Sequence, residues 1–176
     1  MNLQIRHATI DDAEKLLEIY SYYVLNTAVS FEWKVPTLAN FRARIKQTQK
    51  KYPYLVAELD KKIVGYAYAH EFIGREAYKY SAELTIYLDK DARHQGIGRK
   101  LYETLEYLLK AQGIFNLYAC VGWVEVEDEF LNHNSANFHQ QLGFKICGKF
   151  TKCGNKFNRR YDMVWLEKIL SPDSRQ

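Results

Sequence analysis

The stretch that leads into a helix near the middle of the chain reads Leu88-Asp89-Lys90-Asp91-Ala92-Arg93-His94-Gln95-Gly96-Ile97-Gly98-Arg99-Lys100. An apolar strand ends here, a short polar loop follows, and two glycines open an amphipathic helix. A helix N-terminus presents free N–H groups and a partial positive charge, and glycine lets a ligand approach the backbone closely. Arg93, Arg99 and Lys100 add positive charge. The stretch therefore predicts a pyrophosphate-binding site.

Two familiar phosphate loops do not match this stretch. The dinucleotide fingerprint needs a third glycine where this chain has Leu101. The nucleotide P-loop needs Gly-Lys-Ser/Thr after four intervening residues, and that pattern is absent. Two glycines alone are also compatible with an ordinary flexible turn into a helix. This stretch therefore does not identify the ligand by itself, and other parts of the chain are needed to identify it.

The strand before the loop carries a candidate general base. Its apolar residues alternate with Glu83, Thr85 and Tyr87, so Glu83 lies on the face opposite the apolar side chains. The distance from Glu83 to Leu88 is roughly 17 Å at strand rise, which matches the reach of an extended pantetheine arm. A carboxylate beside a thioester can take the proton that an ammonium must lose before it attacks. Without such a ligand, Glu83 is simply a solvated strand residue.

A second informative stretch reads Asn132-His133-Asn134-Ser135-Ala136-Asn137-Phe138-His139-Gln140-Gln141-Leu142-Gly143-Phe144. The spacing of its apolar residues predicts a short helix over 131–142 that stops at Gly143. Asn132 or Asn134 can cap this helix. His139 can be a partly buried histidine with a backbone partner.

Together the two stretches resemble the acetyl-CoA motifs of the GCN5-related N-acetyltransferase (GNAT) superfamily. Residues 93–98 resemble its R-x-x-G-x-G loop, and residues 132–144 resemble its N-x-x-[AS]-x-x-x-[YH]-x-x-L-G-F pattern. The resemblance implies that His139 or Tyr161 protonates the departing thiolate. It also implies that acetyl-CoA is held by Ile86, Tyr87, Leu88, Arg93, His94, Gln95, Gly96, Ile97, Gly98, Arg99, Lys100, Asn132 and Ser135.

Within that superfamily the chain is similar to the phosphinothricin acetyltransferase-like subgroup, over nearly its whole length. Residues 81–88 resemble the strand with the subgroup's proposed catalytic glutamate, which maps to Glu83. Residues 72–78 resemble its F-R-x-R-x-A-Y segment, and residues 154–162 resemble a late G-x-K-x-G-x-W-Y-D-V stretch. The resemblance implies that the acceptor amine is contacted by Arg75, Tyr78 and Tyr161.

The chain departs from the subgroup pattern at three positions. Ile73 replaces the first arginine, Asn158 the glycine and Arg160 the tryptophan. The loss of that arginine weakens the expectation of an oxyanion-bearing amino acid as acceptor. The acidic segment 125–129 either favours a cationic acceptor or is a solvated loop.

Composition narrows the function classes. The 176 residues are 47% hydrophobic and 26% charged, which is typical of one folded domain. The net charge of +4 is scattered, so we expect no nucleic-acid partner. No signal peptide or bilayer-spanning run is evident, and Cys120, Cys147 and Cys153 form no Cys-x-x-Cys pair. We therefore expect a cytoplasmic protein with reduced thiols, no membrane partner and no metal.

The predicted fold class is α/β (α+β), with a mixed, mostly antiparallel central sheet flanked by helices. Predicted strands cover 2–8, 54–59, 63–70, 80–88, 114–124, 144–151 and 159–167, with turns at 60–62 and at Gly154-Asn155. Predicted helices cover about 10–24, 37–49 and 131–142, and one more begins at Ile97 and ends near Gly113. Residues 1–170 form one GNAT domain in this interpretation, and residues 171–176 form a polar tail.

The resulting hypothesis is an N-acetyltransferase that moves acetyl from acetyl-CoA to a small primary amine. Glu83 is the general base, and the amine attacks directly because no serine or cysteine has an obvious activating base. The alternative function is a regulatory module that binds acetyl-CoA without catalysis, and a weaker one is an unrelated nucleotide-binding protein. Subgroup relatives are often homodimers, so the resemblance implies a homodimer.

Overall fold

The strands and helices follow the predicted order. The computed structural model describes residues 2–170, and the predicted tail at 171–176 lies outside the described residues. The helices are α1 (Ala13–Asn26), α2 (Leu38–Gln49), α3 (Ile97–Ala111) and α4 (Asn134–Gln141). The strands are β1 (Leu3–His7), β2 (Tyr54–Leu59), β3 (Lys62–Glu71), β4 (Ser81–Leu88), β5 (Asn116–Trp123), β6 (Lys145–Lys156) and β7 (Arg159–Ile169).

The seven strands form one sheet in the order β1-β2-β3-β4-β5-β7-β6. Every neighbouring pair is antiparallel except β4 and β5, which are parallel. The predicted mixed, mostly antiparallel sheet is therefore confirmed. The parallel pair is connected through α3, because parallel neighbours need a crossover.

Helices cover both faces of the sheet and define two cores. On one face, Leu84 of β4 packs with Leu101 and Leu105 of α3, and Ala136 of α4 joins the same cluster. On the other face, Tyr87 of β4 packs against a cluster that contains residues of α1 and α2. Residues 84 and 87 therefore face opposite cores, as the predicted alternation along this strand requires.

The last hairpin corrects the prediction of a turn at Gly154-Asn155. Strand β6 continues to Lys156, and the turn is formed by Phe157 and Asn158, whose φ angles of 50° and 58° fit a two-residue turn. An irregularity between Phe150 and Gly154 interrupts the register, and β6 continues beyond it. Gly154 lies inside β6, and a glycine is required there because a Cβ would meet the Phe31 ring at 2.7 Å.

Two helix starts also differ from prediction. Helix α4 begins at Asn134, because the Asp128 carboxylate accepts the N–H groups of Phe130 and Leu131 and holds those residues in a turn. Leu131 instead packs in a small core with other buried residues. The first predicted helix opens with a 3-10 turn over Ile10–Asp12 before α1 begins.

Candidate active site

Strands β4 and β5 separate part-way along their length. They pair only from Ser81 to Glu83 on β4 and from Asn116 to Tyr118 on β5. Beyond Glu83, β4 remains paired with β3 on its other edge as far as Leu88. The edge of residues 84–88 that faces β5 therefore presents N–H and C=O groups that no described strand pairs, and such an edge can accept an extended amide chain.

A cleft lies where the two strands part. Its lining comes from both strands and from the helices on either side: Val29, Leu84, Thr85, Ile86, Tyr87, Tyr102, Ala119, Cys120, Val121, Gly122, Leu131, Ser135 and His139. Four residues predicted from the sequence, Ile86, Tyr87, Ser135 and His139, are among them. The structure thus brings the strand before the loop and the later helix together around one cleft.

Glu83 lies at the vertex of this separation, at the last paired position of β4. Its side chain is 19% exposed, and burial raises the pKa of its carboxyl, while the charge of His70 opposes that shift. The Nε2 atom of His70 is 3.7 Å from Glu83 Oε1. A carboxyl with a raised pKa is a stronger base once ionised, which suits proton abstraction near neutral pH.

The N-terminus of α3 has the features of an anion site. Gly96 precedes the helix with φ of 76°, and the first helical bond runs from the Lys100 N–H to the Gly96 carbonyl at 3.1 Å. The N–H groups of residues 97–99 consequently have no acceptor within the helix. A Cβ at Gly96 would meet nothing within 4 Å, so the space above this turn is open.

Gly98 has a different role from Gly96. A Cβ at Gly98 would lie 2.9 Å from the Phe138 ring of α4 and 3.4 Å from Ile86 of β4. The second glycine therefore allows α3 and α4 to pack closely against the strand that lines the cleft. It contributes to the site through packing rather than through backbone conformation.

Arg93 is engaged with α1 in this structure. Its guanidinium lies 5.5 Å from the ring centre of Tyr23 and donates to the Tyr23 hydroxyl at 3.2 Å. That hydroxyl donates to the Leu88 carbonyl at 2.6 Å. This chain of contacts fixes the loop 89–96 between the end of β4 and α1. The side chains of Arg99 and Lys100 are exposed on the first turn of α3.

The His139 ring has one resolvable tautomer. Its Nδ1 is 2.7 Å from the Ser135 carbonyl, which can only accept, so Nδ1 carries the hydrogen. Burial lowers the pKa of His139 to about 4, so the ring is neutral at pH 7. Its Nε2 therefore accepts the hydroxyl hydrogen of Tyr102, at 2.9 Å. In this arrangement His139 has no hydrogen on Nε2 for a thiolate, whereas Tyr102 holds a hydroxyl at the floor of the cleft.

Cys120 lines the cleft but is not activated. Burial, followed by the negative charge of Glu83, raises the pKa of its thiol to about 12. A thiol with that pKa is protonated at neutral pH and is a poor nucleophile. This environment does not support an acyl-cysteine intermediate.

Two residues predicted from the sequence have other contacts. The Tyr161 hydroxyl donates to Asp128 at 3.1 Å, and its side chain is buried in the small core with Leu131 and is not among the residues that line the cleft. The Asn132 side chain accepts the Asn134 N–H at 3.1 Å, as a helix-capping residue does.

The loop between β3 and β4 forms an aromatic wall next to Glu83. Phe72 stacks on Tyr118 with ring centres 4.0 Å apart and meets Tyr78 edge-on at 6.2 Å. Tyr118 is the β5 residue paired with Glu83. Arg75 lies exposed in the same loop.

Each carboxylate of the acidic segment has a partner within the chain. Glu125 pairs with Lys149, and Glu127 contacts His133. Arg159 pairs with both Asp128 and Glu129. Arg159 is 3.1 Å from Asp128 and 2.8 Å from Glu129. Lys149 and Arg159 offset two of the segment's four negative charges, which favours the interpretation as a solvated loop.

Two residues of this site, His70 and Tyr102, were not predicted from the sequence. His70 ends a predicted strand, but nothing local aligns it with Glu83. Tyr102 has the helical spacing of a core residue and is fully buried, so its pattern indicated packing alone. A polar hydroxyl at a core position was the available signal, because buried hydroxyls need partners.

Sequence and structure comparisons show the family to which this chain is similar. A family model described as an acetyltransferase (GNAT) domain matches residues 5–165. The phosphinothricin N-acetyltransferase of Alcaligenes faecalis is 34% identical over 95% of this chain and 82% of its own length. The L-methionine sulfoximine/L-methionine sulfone acetyltransferase of Pseudomonas paraeruginosa is 31% identical over 98% of this chain and 97% of its own.

One of the similar solved structures is a complex with AcCoA. The crystal structure of a GNAT superfamily phosphinothricin acetyltransferase from Sinorhizobium meliloti in complex with AcCoA matches with a TM-score of 0.90 and 30% identity. The match covers 100% of this chain and 92% of that one. Within residues 2–170, no helix is long and apolar enough to cross a membrane.

Proposed function

This chain belongs to the GNAT acetyltransferase family, and from that premise we propose that it transfers acetyl from acetyl-CoA to the primary amine of a small molecule. The observation that carries the proposal is the position of Glu83, at the point where β4 and β5 part and the open edge of β4 begins. Glu83, the open edge of β4 and the N-terminus of α3 therefore follow one another in the direction of β4.

The residues present fit acetyl-CoA, which supplies the acetyl group as a thioester. The open edge of Ile86, Tyr87 and Leu88 suits the two amides of the pantetheine arm. The free N–H groups at the start of α3 and the charges of Arg99 and Lys100 suit the pyrophosphate. Ser135 lines the cleft beside this path. The open space at Gly96 supports the same assignment, since phosphates need a close backbone approach.

Glu83 is the general base of the proposal. It takes a proton from the acceptor amine, directly or through one water, so that the nitrogen lone pair is free to attack. A backbone N–H on the open edge of β4 polarises the thioester carbonyl and stabilises the developing oxyanion. Because Cys120 has a pKa raised to about 12, we propose direct attack by the amine without an acyl-enzyme.

Departure of the thiolate is assisted by Tyr102 together with His139. The Tyr102 hydroxyl donates to His139 while the sulfur is an uncharged thioester, which is a weak acceptor. When negative charge develops on the sulfur, the hydroxyl can turn from the neutral imidazole toward it. Such a bond forms only as the transition state is reached and therefore lowers the barrier. This proposal moves the direct contact from His139 to Tyr102 and does not require Tyr161.

The proposed acceptor is an amino-acid analogue or a related small amine. Arg75 and Tyr78 lie in the loop beside Glu83, where they can contact the acceptor's distal group. The pairing of the acidic segment with its own basic residues argues against a polyamine. The test is thiol release from acetyl-CoA with a panel that contains phosphinothricin, L-methionine sulfone, spermidine and aminoacyl compounds.

We expect release above the amine-free rate with at least one amino-acid analogue. Tight binding of acetyl-CoA without release for any amine would instead favour a regulatory module. A thermal shift with ATP or NAD and none with acetyl-CoA would favour an unrelated nucleotide-binding protein.

Replacement of Gly96 tests the phosphate loop. We expect Gly96→Ala to weaken acetyl-CoA binding about tenfold, or about 1.4 kcal/mol, because its Cβ points into the open space of the proposed pyrophosphate site. The matched control is Gly113→Ala at the other end of α3, where φ is 79° and a Cβ also meets nothing within 4 Å. Calorimetry measures both affinities. Equal acetyl-CoA affinity in the two variants would contradict the assignment of this loop to the pyrophosphate site.

Assembly is a separate prediction. We expect a homodimer, since β6 is an edge strand that exposes Ile146 (42%) and Phe150 (53%). Light scattering should give twice the mass of one chain at micromolar concentration. A mass equal to one chain would contradict the dimer without affecting the catalytic proposal.

A further inference from the structure

We propose that His70 and Glu83 act as one proton-accepting pair, in which His70 receives the amine proton from Glu83 and passes it to solvent. The inference rests on the proposed function, because it assumes that Glu83 is the base. It adds a second residue to the proton path and explains how the largely buried carboxylate of Glu83 returns to its ionised form after each turnover.

The backbone register places the two side chains side by side. His70 on β3 is the direct ladder partner of Glu83 on β4. The His70 Nε2 atom is 3.7 Å from Glu83 Oε1, and its Nδ1 is 3.1 Å from the Glu71 carbonyl. Because a carbonyl oxygen only accepts, Nδ1 carries a hydrogen. The other ring nitrogen, Nε2, is thus the one directed at the carboxylate.

This arrangement leaves a place for one proton. When the ring is neutral and Glu83 is ionised, two acceptor atoms face each other with no hydrogen between them. A proton between Nε2 and Oε1 converts the contact into a charge-assisted hydrogen bond. The separation of 3.7 Å exceeds a direct hydrogen bond, so the transfer proceeds after a small side-chain movement or through one water.

The chemistry requires such an exit. An ammonium acceptor loses two protons when the C–N bond forms and the C–S bond breaks. One proton ends on the sulfur, and the other must reach solvent. Glu83 is 19% exposed, whereas His70 is 37% exposed, so the histidine leads from the vertex of the cleft to the surface.

The other titratable groups around the pair do not offer this route. Burial raises the pKa of Tyr68, beside His70 on β3, to about 12. On β5, burial raises the pKa of Tyr118 above its usual range and that of Cys120 to about 12. Burial also keeps Tyr102 on α3 protonated, and the Glu71 carboxylate pairs with Lys51 at 3.4 Å. Histidine is the side chain that exchanges protons readily near neutral pH.

The test is His70→Ala, assayed with the best amine of the panel under conditions where chemistry limits the rate. We expect kcat to fall about 10²-fold, the lower end for loss of a proton-transfer group, with the KM for acetyl-CoA unchanged. Added imidazole should restore most of the rate, since the partly exposed site leaves room for it. The acidic limb of the kcat profile should move to higher pH, because the charge of His70, which lowers the pKa of Glu83, is absent in the variant.

Two controls separate this inference from the proposed function. In a Glu83→Gln background, His70→Ala should cost nothing further, because the proton no longer enters the pair. The second control is His70→Gln, which keeps a polar side chain but cannot carry the proton, and it should lose as much rate as His70→Ala. A parental rate in His70→Ala, absence of imidazole rescue, or equal losses in both backgrounds would overturn the pair. Full activity in Glu83→Gln would instead overturn the base assignment itself.

Discussion

Glu83→Gln is expected to slow the chemical step by about 10²–10⁴-fold at neutral pH, the usual contribution of a general base. Glutamine keeps the shape and most of the packing of the side chain but cannot accept the amine proton. Acetyl-CoA affinity should hardly change, since the carboxylate is not assigned to cofactor binding. Single-turnover kinetics with a responsive amine measure the step directly.

The loss should depend on pH in a defined direction. Burial raises the pKa of Glu83, so the parent should lose its base as the pH falls through that raised value. The deficit of Glu83→Gln should shrink as pH rises, because more of the amine arrives deprotonated. The matched control is Glu71→Gln, an exposed carboxylate on the neighbouring strand, which should retain the parental rate. Unchanged turnover in Glu83→Gln would contradict the general-base assignment.

Tyr102→Phe is expected to lower kcat by about 10²-fold with little change in the KM for acetyl-CoA, a magnitude typical of removing one donor to a developing anion. The hydroxyl is proposed to contact the sulfur only when charge develops there. A donor of that kind also stabilises the thiolate of bound coenzyme A. The ultraviolet absorbance of the bound thiolate should therefore show a higher thiol pKa in the variant.

Controls for Tyr102 address its structural role. Removal of the hydroxyl leaves the buried Nε2 of His139 without a donor, which costs about 1–3 kcal/mol of stability, so melting temperatures are measured in parallel. Tyr107→Phe changes an exposed tyrosine of the same helix and should have no effect. His139→Phe should also slow turnover, with weaker alkaline rescue than Glu83→Gln. An unaltered thiol pKa in Tyr102→Phe would exclude the proposed contact.

Local patterns predicted the strand 81–88 and the start of α3 well. Both are set by nearest neighbours along the chain: alternation of apolar and polar residues, and glycine before a run of helical spacing. The hairpin at 60–62 was predicted for the same reason, and Asp60 and Lys61 do adopt φ angles of 48° and 68°. The family motifs predicted which residues hold the cofactor, because they combine spacings that single patterns leave ambiguous, and that assignment stays a prediction.

The last hairpin shows where local patterns fail. Gly154 and Asn155 are the usual residues of a tight turn, yet Phe157 and Asn158 turn instead. The position of the turn is set by the register of β6 on β7, and the Phe31 ring occupies the space beside Gly154 within β6. Phe31 is far away in the sequence, so no window around the turn contains this information.

The sequence by itself determined the order of elements, the face of β4 that carries Glu83 and the glycine-led start of α3, because these depend on residues a few positions apart. Only the tertiary structure decided that His70 faces Glu83 and that the Tyr102 hydroxyl donates a hydrogen bond to His139. The loop 72–80 leaves the register of β3 against β4 open, and α3 meets α4 through the close packing at Gly98 and through the rings of Tyr102, Phe138 and His139. Both contacts join distant segments, and their geometry follows from how the whole sheet and its helices fill the core.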